Sequence, residues 1–347
     1  MSDAKENLER YVRQMRYPPI GEEGQRRLVE SRVLLCGCGA LGSVLASTLT
    51  RAGVGHLRIV DRDFLELNNL QRQVLYDEDD VAAGLPKAIA AADKLRRVNS
   101  EVEIEPIVAD VDHKNIAELS DGVDLLLDGT DNFETRFLLN DAAAKFRIPW
   151  VYGGCIGAEG QSMTIVPGQT PCWRCLMPDS PPPGTTPTCD TAGILGGIVN
   201  VVASIQAVEA IKILTGQFDA ISRALTVIDL WDNRVRQVRL DALGKDNDCP
   251  TCARGEFPWL DGRRGNHTAV LCGRNAVQLS GDRRANLSLD AIAEKLEGVG
   301  KVTQNQFLLR FAVDCYVLTV FPDGRTIVAG TDDIAEAKSV HAKYVGS

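Results

Sequence analysis

Histidine is scarce in this chain: His56, His113, His267 and His341 are all there is among 347 residues. Chemistry built on imidazole therefore has little to draw on. Positive charge is also short, with 38 Lys and Arg against 47 Asp and Glu, a formal net charge of −9. A negative surface repels phosphate backbones, which argues against nucleic acid as the main partner. The opening residues, MSDAKENLERY, lack an apolar core, so no secretory signal is expected and the protein is read as cytoplasmic. Without export, the ten cysteines do not predict disulfides. Long apolar runs are missing except at residues 192–216, AGILGGIVNVVASIQAVEAIKILTG. That run is long enough to span a bilayer. It also contains Asn200, Gln206, Glu209 and Lys212, so a helix buried in a protein or dimer core is expected instead of a membrane contact.

What is present centres on residues 33–63, VLLCGCGALGSVLASTLTRAGVGHLRIVDRD. Apolar residues 33–36 predict a buried strand. Gly37, Gly39 and Gly42 follow in G-x-G-x-x-G spacing, then a helical pattern over 41–52 closed by Gly53, then a second strand ending at Asp61. The three glycines suit a tight turn, close approach of backbone to phosphate, and close helix–strand packing. The helix N-terminus offers unpaired N–H groups to an anion. Asp61 stands where a ribose-binding carboxylate is expected. Strand patterns at 102–108, 123–127, 150–152 and 161–166 alternate with helical patterns at 87–98 and 133–146. That alternation predicts an α/β, Rossmann-like, doubly wound and mostly parallel sheet. Residues 6–30 read as one polar helix, and 177–191, with five prolines, as a mobile loop. A hairpin is expected over 225–240. Domain boundaries are placed at 1–254 for this unit, 255–269 for a linker, and 270–347 for a small α+β domain. The latter holds a short strand, a helix over 287–296, strands at 306–313 and 316–321, a further strand and a helix over 334–344.

Two Cys-x-x-Cys pairs, Cys172/Cys175 and Cys249/Cys252, give the most specific metal signal. Each pair can clamp one side of a tetrahedral zinc ion, and four thiolates leave no water to activate, so a structural site is expected. Cys36 and Cys38 are expected to pack as small hydrophobes. Cys189 lies near the end of the proline-rich loop, but no Lys, Arg or His stands beside it to favour the thiolate. In NNLQRQ at 68–73, Asn69 and Gln73 can read a base or sugar, while Arg72 can pair with phosphate. Lys87 opens a helix behind Pro86 and is placed to meet phosphate. In GTDN, Asp131 could hold magnesium, with Asn132 beside it.

Taken in order, GCGALG, Asp61, NLQRQ, Pro86-Lys87, GTDN, C-x-x-C, Thr188-Cys189 and C-x-x-C resemble the ThiF/MoeB/HesA adenylyltransferases, bacterial relatives of ubiquitin-activating enzymes. The resemblance covers about residues 10–253. It implies use of ATP and magnesium to adenylate the C-terminal Gly-Gly carboxylate of a ubiquitin-like sulfur carrier protein, releasing pyrophosphate. A thiocarboxylate then forms for thiamin, molybdopterin or thiolated-tRNA synthesis. It further implies backbone contacts to nucleotide at Gly39 and Gly42, ribose binding at Asp61, base or phosphate contacts at Asn69, Arg72 and Lys87, and magnesium at Asp131. Arg13 matches an arginine that reaches the ATP phosphates of the opposite subunit, which implies a homodimer. Cys189 matches a cysteine that in some members links covalently to the carrier or its sulfur. No rhodanese-like loop is evident, so a separate sulfur donor such as a cysteine desulfurase is implied.

Three other readings compete. An NAD-dependent oxidoreductase explains the glycines and Asp61 but leaves Arg13, Lys87 and the cysteine pairs idle. A tRNA-modifying relative would activate a different acyl substrate. A non-catalytic module would bind ubiquitin-like proteins without chemistry.

Overall fold

The computed structural model describes residues 8–182, 185, 189–240, 243, 248–264, 268–271, 275–279 and 287–346. The side chains of Cys189, Asp190 and residues 268–271 fall outside that description, as do Thr188, His267 and Cys272 and residues 183, 184, 186 and 187 of the proline-rich stretch. The chain forms two units, Met1–Arg264 and Gly265–Ser347.

The first unit is built on eight strands: β1 (Arg32–Cys36), β2 (His56–Val60), β3 (Glu103–Ile107), β4 (Leu125–Asp128), β5 (Trp150–Ile156), β6 (Glu159–Ile165), β7 (Ala224–Asp229) and β8 (Arg234–Arg239). Their order is β3-β2-β1-β4-β5-β6-β7-β8. The first five are parallel, and β6, β7 and β8 extend the sheet antiparallel. The order therefore reverses between β1 and β4, which opens the crevice where such sheets bind ligands.

Alternation along each strand fills two cores. Val33 and Leu35 of β1, with Leu125 and Leu127 of β4, face the helices Ala40–Ala52, Lys87–Val98 and Gly196–Leu214. Leu34 and Cys36, with Leu126, face the helix Phe133–Phe146 and the Trp150, Tyr152 and Trp173 cluster. Each such buried aliphatic side chain contributes about 1.5–3 kcal/mol, so the central strands hold both layers.

The apolar stretch at 192–216 is a core helix, as expected, although it starts at Gly196; a separate short helix, Cys189–Ala192, precedes it. Its polar residues are matched locally. Gln206 Nε2 donates to the Asp128 carbonyl at 2.9 Å. Glu209 accepts from Thr164 Oγ1 at 2.9 Å and the Ser222 N–H at 2.8 Å, and pairs with Lys212 at 2.5 Å. Arg27 Nη1 donates to the Thr215 carbonyl at 3.2 Å, a cation at the helix C-terminus.

Three expectations are corrected. Residues 6–30 are not one helix: among the described residues they form a 3-10 turn Leu8–Tyr11, a short helix Val12–Met15 and a helix Gly21–Glu30. Pro18 and Pro19 lie in the break, since proline cannot donate and restricts its predecessor. Residues 257–264, expected as linker, pack on the first unit: Trp259 stacks on Phe137 with ring centroids 5.3 Å apart. In the second unit the strand expected from 306 begins at Leu309, and Lys301–Gln304 is a further strand. That edge strand is polar and exposed, so it carries little apolar alternation.

The second unit pairs β9 (Thr268–Leu271), β10 (Ala276–Leu279), β11 (Lys301–Gln304), β12 (Leu309–Val313), β13 (Tyr316–Val320) and β14 (Thr326–Ala329) in the order β11-β12-β13-β14-β10-β9, all antiparallel. Helices Leu289–Leu296 and Ile334–Tyr344 share its core with Phe311, Leu318, Val320 and Val328.

Candidate nucleotide site and cysteine cluster

The glycine turn joins β1 to the helix Ala40–Ala52 at the crevice. Gly37 has φ +85°, and a Cβ there would stand 2.7 Å from the Gly129 carbonyl oxygen. A Cβ on Gly42 would stand 2.0 Å from the Gly37 carbonyl oxygen. The turn, the helix and the loop after β4 thus meet backbone to backbone. Gly39 is different: a Cβ there would meet only Gln73 Nε2, at 3.8 Å. Gly39 is also the N-cap of the helix and supplies no side-chain cap. The first-turn N–H groups remain available to an anion.

Asp61 fastens this turn. Its carboxylate accepts from the Cys38 N–H at 2.6 Å and the Asp63 N–H at 2.7 Å. Burial pushes its pKa up, and the Lys87 ammonium pulls it back. Tyr76 locks the other side, its hydroxyl donating to the Cys38 carbonyl at 2.6 Å. Lys87 is 4% exposed, with Nζ donating to Asp63 Oδ2 at 3.0 Å. Pro86 is the N-cap of its helix and Lys87 the first residue.

Arg62, Asp63 and Asp110 were not singled out from the sequence. Arg62 Nη1 donates to Asp110 Oδ1 at 2.8 Å. Burial works against the Arg62 charge, but Asp63 and Asp110 outweigh it and hold its pKa up. The signal was available. Asp61, Asp63, Asp110 and Asp128 end or follow β2, β3 and β4, the carboxyl edge where ligands bind.

The polar loop is only partly committed. Asn69 is buried, with Oδ1 accepting from the Glu66 N–H at 3.1 Å, so it braces its own turn. Arg72 is half-buried and donates to the Asn68 carbonyl at 2.9 Å. Gln73 is 3% exposed beside Gly39, and its Oε1 has no hydrogen-bond partner. A buried amide oxygen left open next to an uncapped helix start suits a polar ligand, and a nucleotide fits.

Asn132 caps the helix Phe133–Phe146 by accepting from the Thr135 N–H at 2.9 Å. Asp131 beside it is exposed and makes no hydrogen bond or ion pair among the described residues. Its charge nevertheless acts on Arg62 and Arg136, which places it near the same corner. A hard cation bridging it to phosphate fits that free carboxylate.

Arg13 is not brought to this corner. It is exposed on Val12–Met15, between two anchored neighbours. Tyr11 packs on Gly53 and accepts from Asn99 Nδ2 at 2.8 Å; Gln14 donates to the Ala52 carbonyl at 3.0 Å. Both anchors lie at the C-terminal end of Ala40–Ala52, a helix length, about 20 Å, from Gly39.

The four paired cysteines do converge. Cys172 Sγ lies 3.8 Å from Cys175 Sγ and 3.6 Å from Cys249 Sγ; Cys175 Sγ lies 3.4 Å from Cys252 Sγ. All four sulfurs fall within 4.8 Å of one another. Tetrahedral zinc with Zn–S near 2.3 Å requires S···S separations of about 3.8 Å, so zinc fits. Hydrogen bonding among the sulfurs pulls Cys252 down to about 7 and Cys249 lower, while Cys172 and Cys175 are pushed up. Only a cation lets all four be thiolates together. Asp141 braces this region, accepting from Thr251 Oγ1 at 3.2 Å and the Trp259 N–H at 3.0 Å.

Residues 11–251 match the ThiF family model. The chain belongs to the ThiF family. The match spans the glycine turn, the polar loop, Lys87, Asp131 and three of the four clustered cysteines, Cys172, Cys175 and Cys249. Among ThiF-type relatives, the chain is 44% identical over 338 residues to the sulfur carrier protein ThiS adenylyltransferase of Bacillus subtilis (strain 168), covering 97% of this chain and 99% of that one. That alignment also takes in the second unit, which the family model leaves out. The SAMP-activating enzyme E1 of Haloferax volcanii is 43% identical over 248 residues, 72% of this chain and 90% of its own. The solved structure of E. coli MccB with ATP superposes at a TM-score of 0.60 and 22% identity, covering 71% of this chain and 74% of that one, which establishes the shared fold.

Proposed function

We propose that this chain is an adenylyltransferase that activates the C-terminal Gly-Gly carboxylate of a ubiquitin-like sulfur carrier protein. The near full-length match to a ThiS adenylyltransferase carries the reading, and makes a ThiS-type carrier of thiamin synthesis the first to test. The site suits the reaction. A carboxylate is already ionised at neutral pH, so its attack on the α-phosphorus of ATP needs no general base. The new C–O–P linkage forms as the bond from the α-phosphorus to the pyrophosphate oxygen breaks. The barrier is charge crowding and alignment.

The helix start at Gly39 and Ala40 receives phosphate. Lys87, held by Asp63, and Arg72 offset the growing charge on the pyrophosphate. Asp61 and Gln73 orient ribose and base, with Asn69 and Asn132 fixing the loops that carry them. Asp131 would hold magnesium, which neutralises phosphate charge when bound. The scarcity of histidine is no handicap here. A zinc ion at Cys172, Cys175, Cys249 and Cys252 would be structural. Cys189 is kept as a candidate for a covalent step after adenylation, with sulfur from a separate donor such as a cysteine desulfurase.

We read the active form as a cytoplasmic homodimer. Arg13 sits a helix length from its own phosphate corner, so reaching phosphates requires a partner subunit. The outer face of Gly196–Leu214 offers exposed Val208 with half-buried Val201, Ile205 and Ile211 for that contact.

The test is ATP–pyrophosphate exchange against a panel of purified carriers. Exchange dependent on a Gly-Gly carrier is expected, with loss of at least about a hundredfold in Arg72→Ala and Asp131→Ala. Exchange unchanged in both variants would remove the mechanism. Tight NADH binding without carrier-dependent exchange would favour an oxidoreductase.

A further inference from the structure

Arg136 lies against the loop that carries Asp131. It sits in the first turn of Phe133–Phe146 yet is 8% exposed. A buried guanidinium is costly unless its donors are used. Arg136 Nη2 donates to the Thr130 carbonyl at 2.9 Å and to the Gly153 carbonyl at 3.5 Å. Its Cζ lies 5.6 Å from the Phe133 ring centroid and 5.3 Å from that of Tyr152. Its Nε stands 3.4 Å from Asp128 Oδ2 as an ion pair, too poorly aligned for a hydrogen bond. Asp128 in turn accepts the Thr130 N–H at 2.9 Å and Oγ1 at 2.7 Å. Gln206 holds the Asp128 carbonyl and also reaches the Val151 carbonyl, at 3.3 Å. The loop from Asp128 to Thr130 is therefore stitched to β5 at two points.

Asp131 comes next in the chain. The peptide before it is held through the Thr130 carbonyl, and Asn132 after it is held by its cap. Gly129, in the same loop, lies on the glycine turn. A free, solvated carboxylate thus stands on a pinned backbone beside the phosphate corner. Its geometry is set before any ligand arrives.

We propose that Arg136 is a positioning residue for Asp131, fixing the Thr130–Asp131 peptide so that the carboxylate meets the metal of a bound metal–nucleotide complex. This rests on reading Asp131 as the magnesium carboxylate. Lysine keeps the charge but lacks the fork that serves Thr130, Gly153 and Asp128 together.

The test titrates Mn2+ into the ATP-loaded protein, followed by electron paramagnetic resonance, for wild type, Arg136→Lys, Asp131→Asn and the double variant. R136K is expected to weaken Mn2+ binding about tenfold, as loss of a ligand's supporting partner does. It should add nothing in the D131N background, because both changes act through one carboxylate. Amide exchange at Asp131 should quicken in R136K. If D131N weakens Mn2+ binding while R136K leaves it unchanged, or if the two losses multiply, Arg136 does not act through Asp131. If D131N binds Mn2+ as the wild type does, the metal role of Asp131 is wrong and the proposal falls with it. Should R136K not fold, Arg136→Gln, which keeps an amide donor for the Thr130 carbonyl but loses the fork, takes its place and is expected to weaken binding about tenfold; unchanged binding there also overturns the proposal.

Discussion

Replacing Cys172 by serine removes one of four sulfurs from a cluster that joins two distant stretches of chain. Cys172 and Cys249 are 77 residues apart in sequence and 3.6 Å apart in space. A cross-link closing a loop of that length restrains the unfolded chain by about 4–5 kcal/mol on the chain-entropy estimate. For a unit of this size that corresponds to a fall in Tm of roughly 7–9 °C. The loss should be felt first near the cluster. Trp173, beside Cys172, has its ring centroid 4.2 Å from that of Tyr152, and Trp259 stacks on Phe137. Both lose their surroundings if the Cys249–Cys252 segment detaches. The assay is zinc content by atomic emission on protein purified under reducing conditions, with Tm by calorimetry and tryptophan fluorescence. One zinc per subunit is expected in wild type, and none in Cys172→Ser, with a red-shifted emission and the lowered Tm. Wild-type protein that holds no zinc yet melts with Cys172→Ser at the same temperature would refute the reasoning.

Other outcomes follow from single contacts. Gly42→Ala places a methyl 2.0 Å from the Gly37 carbonyl oxygen, against backbone that cannot yield, so it should cost about 3 kcal/mol and abolish ATP binding by calorimetry. Gly39→Ala meets only Gln73 and should fold with Tm near wild type. Asp141 is fully buried, and burial raises its pKa to about 6 against the pull of the Trp259 and Leu260 N–H groups. The folded state then keeps a proton that the unfolded state gives up. Stability from this group is full below about pH 4, falls as pH rises to about 6, and is lost above it, about 3 kcal/mol in all. The stability of wild type relative to Asp141→Asn should shrink by about that amount between pH 4 and 7 in urea unfolding; a constant difference would refute the shift. Arg13→Ala and Lys87→Ala should each be inactive alone. Dissociated and re-associated together they should recover about a quarter of wild-type exchange, since half the dimers are mixed and each has one intact site. No recovery would place Arg13 outside the partner's site.

The parts of the fold that could be read from the sequence are those where one physical signal acts alone. Lys87–Val98, Phe133–Phe146 and Ile334–Tyr344 stand where the sequence places them; Pro86 opens the first, and Asn132 and Asp333 cap the other two in the structure. The cysteine cluster was legible because thiolate pairs have few other uses at that spacing. Residues 6–30 carry the polar pattern of a single exposed helix, but Pro18 and Pro19 break it in two. Residues 257–264 read as linker because Gly and Arg are frequent around them and large apolar groups are few; Trp259 is held by Asp141, a partner 118 residues away. The same limit applies within the site. Asp61 was found by spacing, but its bond to the Cys38 N–H exists only once β2 lies beside β1. Lys87 was found as a helix-start cation, but burial at 4% is possible only because Asp63 meets it.

These contacts support the proposed ligand of the glycine turn over its main alternative. A hydride cofactor needs the turn, Asp61 and a face for its nicotinamide. It has no use for a buried ammonium at Lys87, an open carboxylate at Asp131 and an arginine clamp holding that carboxylate's loop. Under the proposed function these charges suit a polyphosphate that is to be split: Asp131 would hold the metal and Lys87 would meet the leaving pyrophosphate. The Rossmann turn alone is common to both chemistries. The charges that β4 and the helix at Lys87 bring to it separate them.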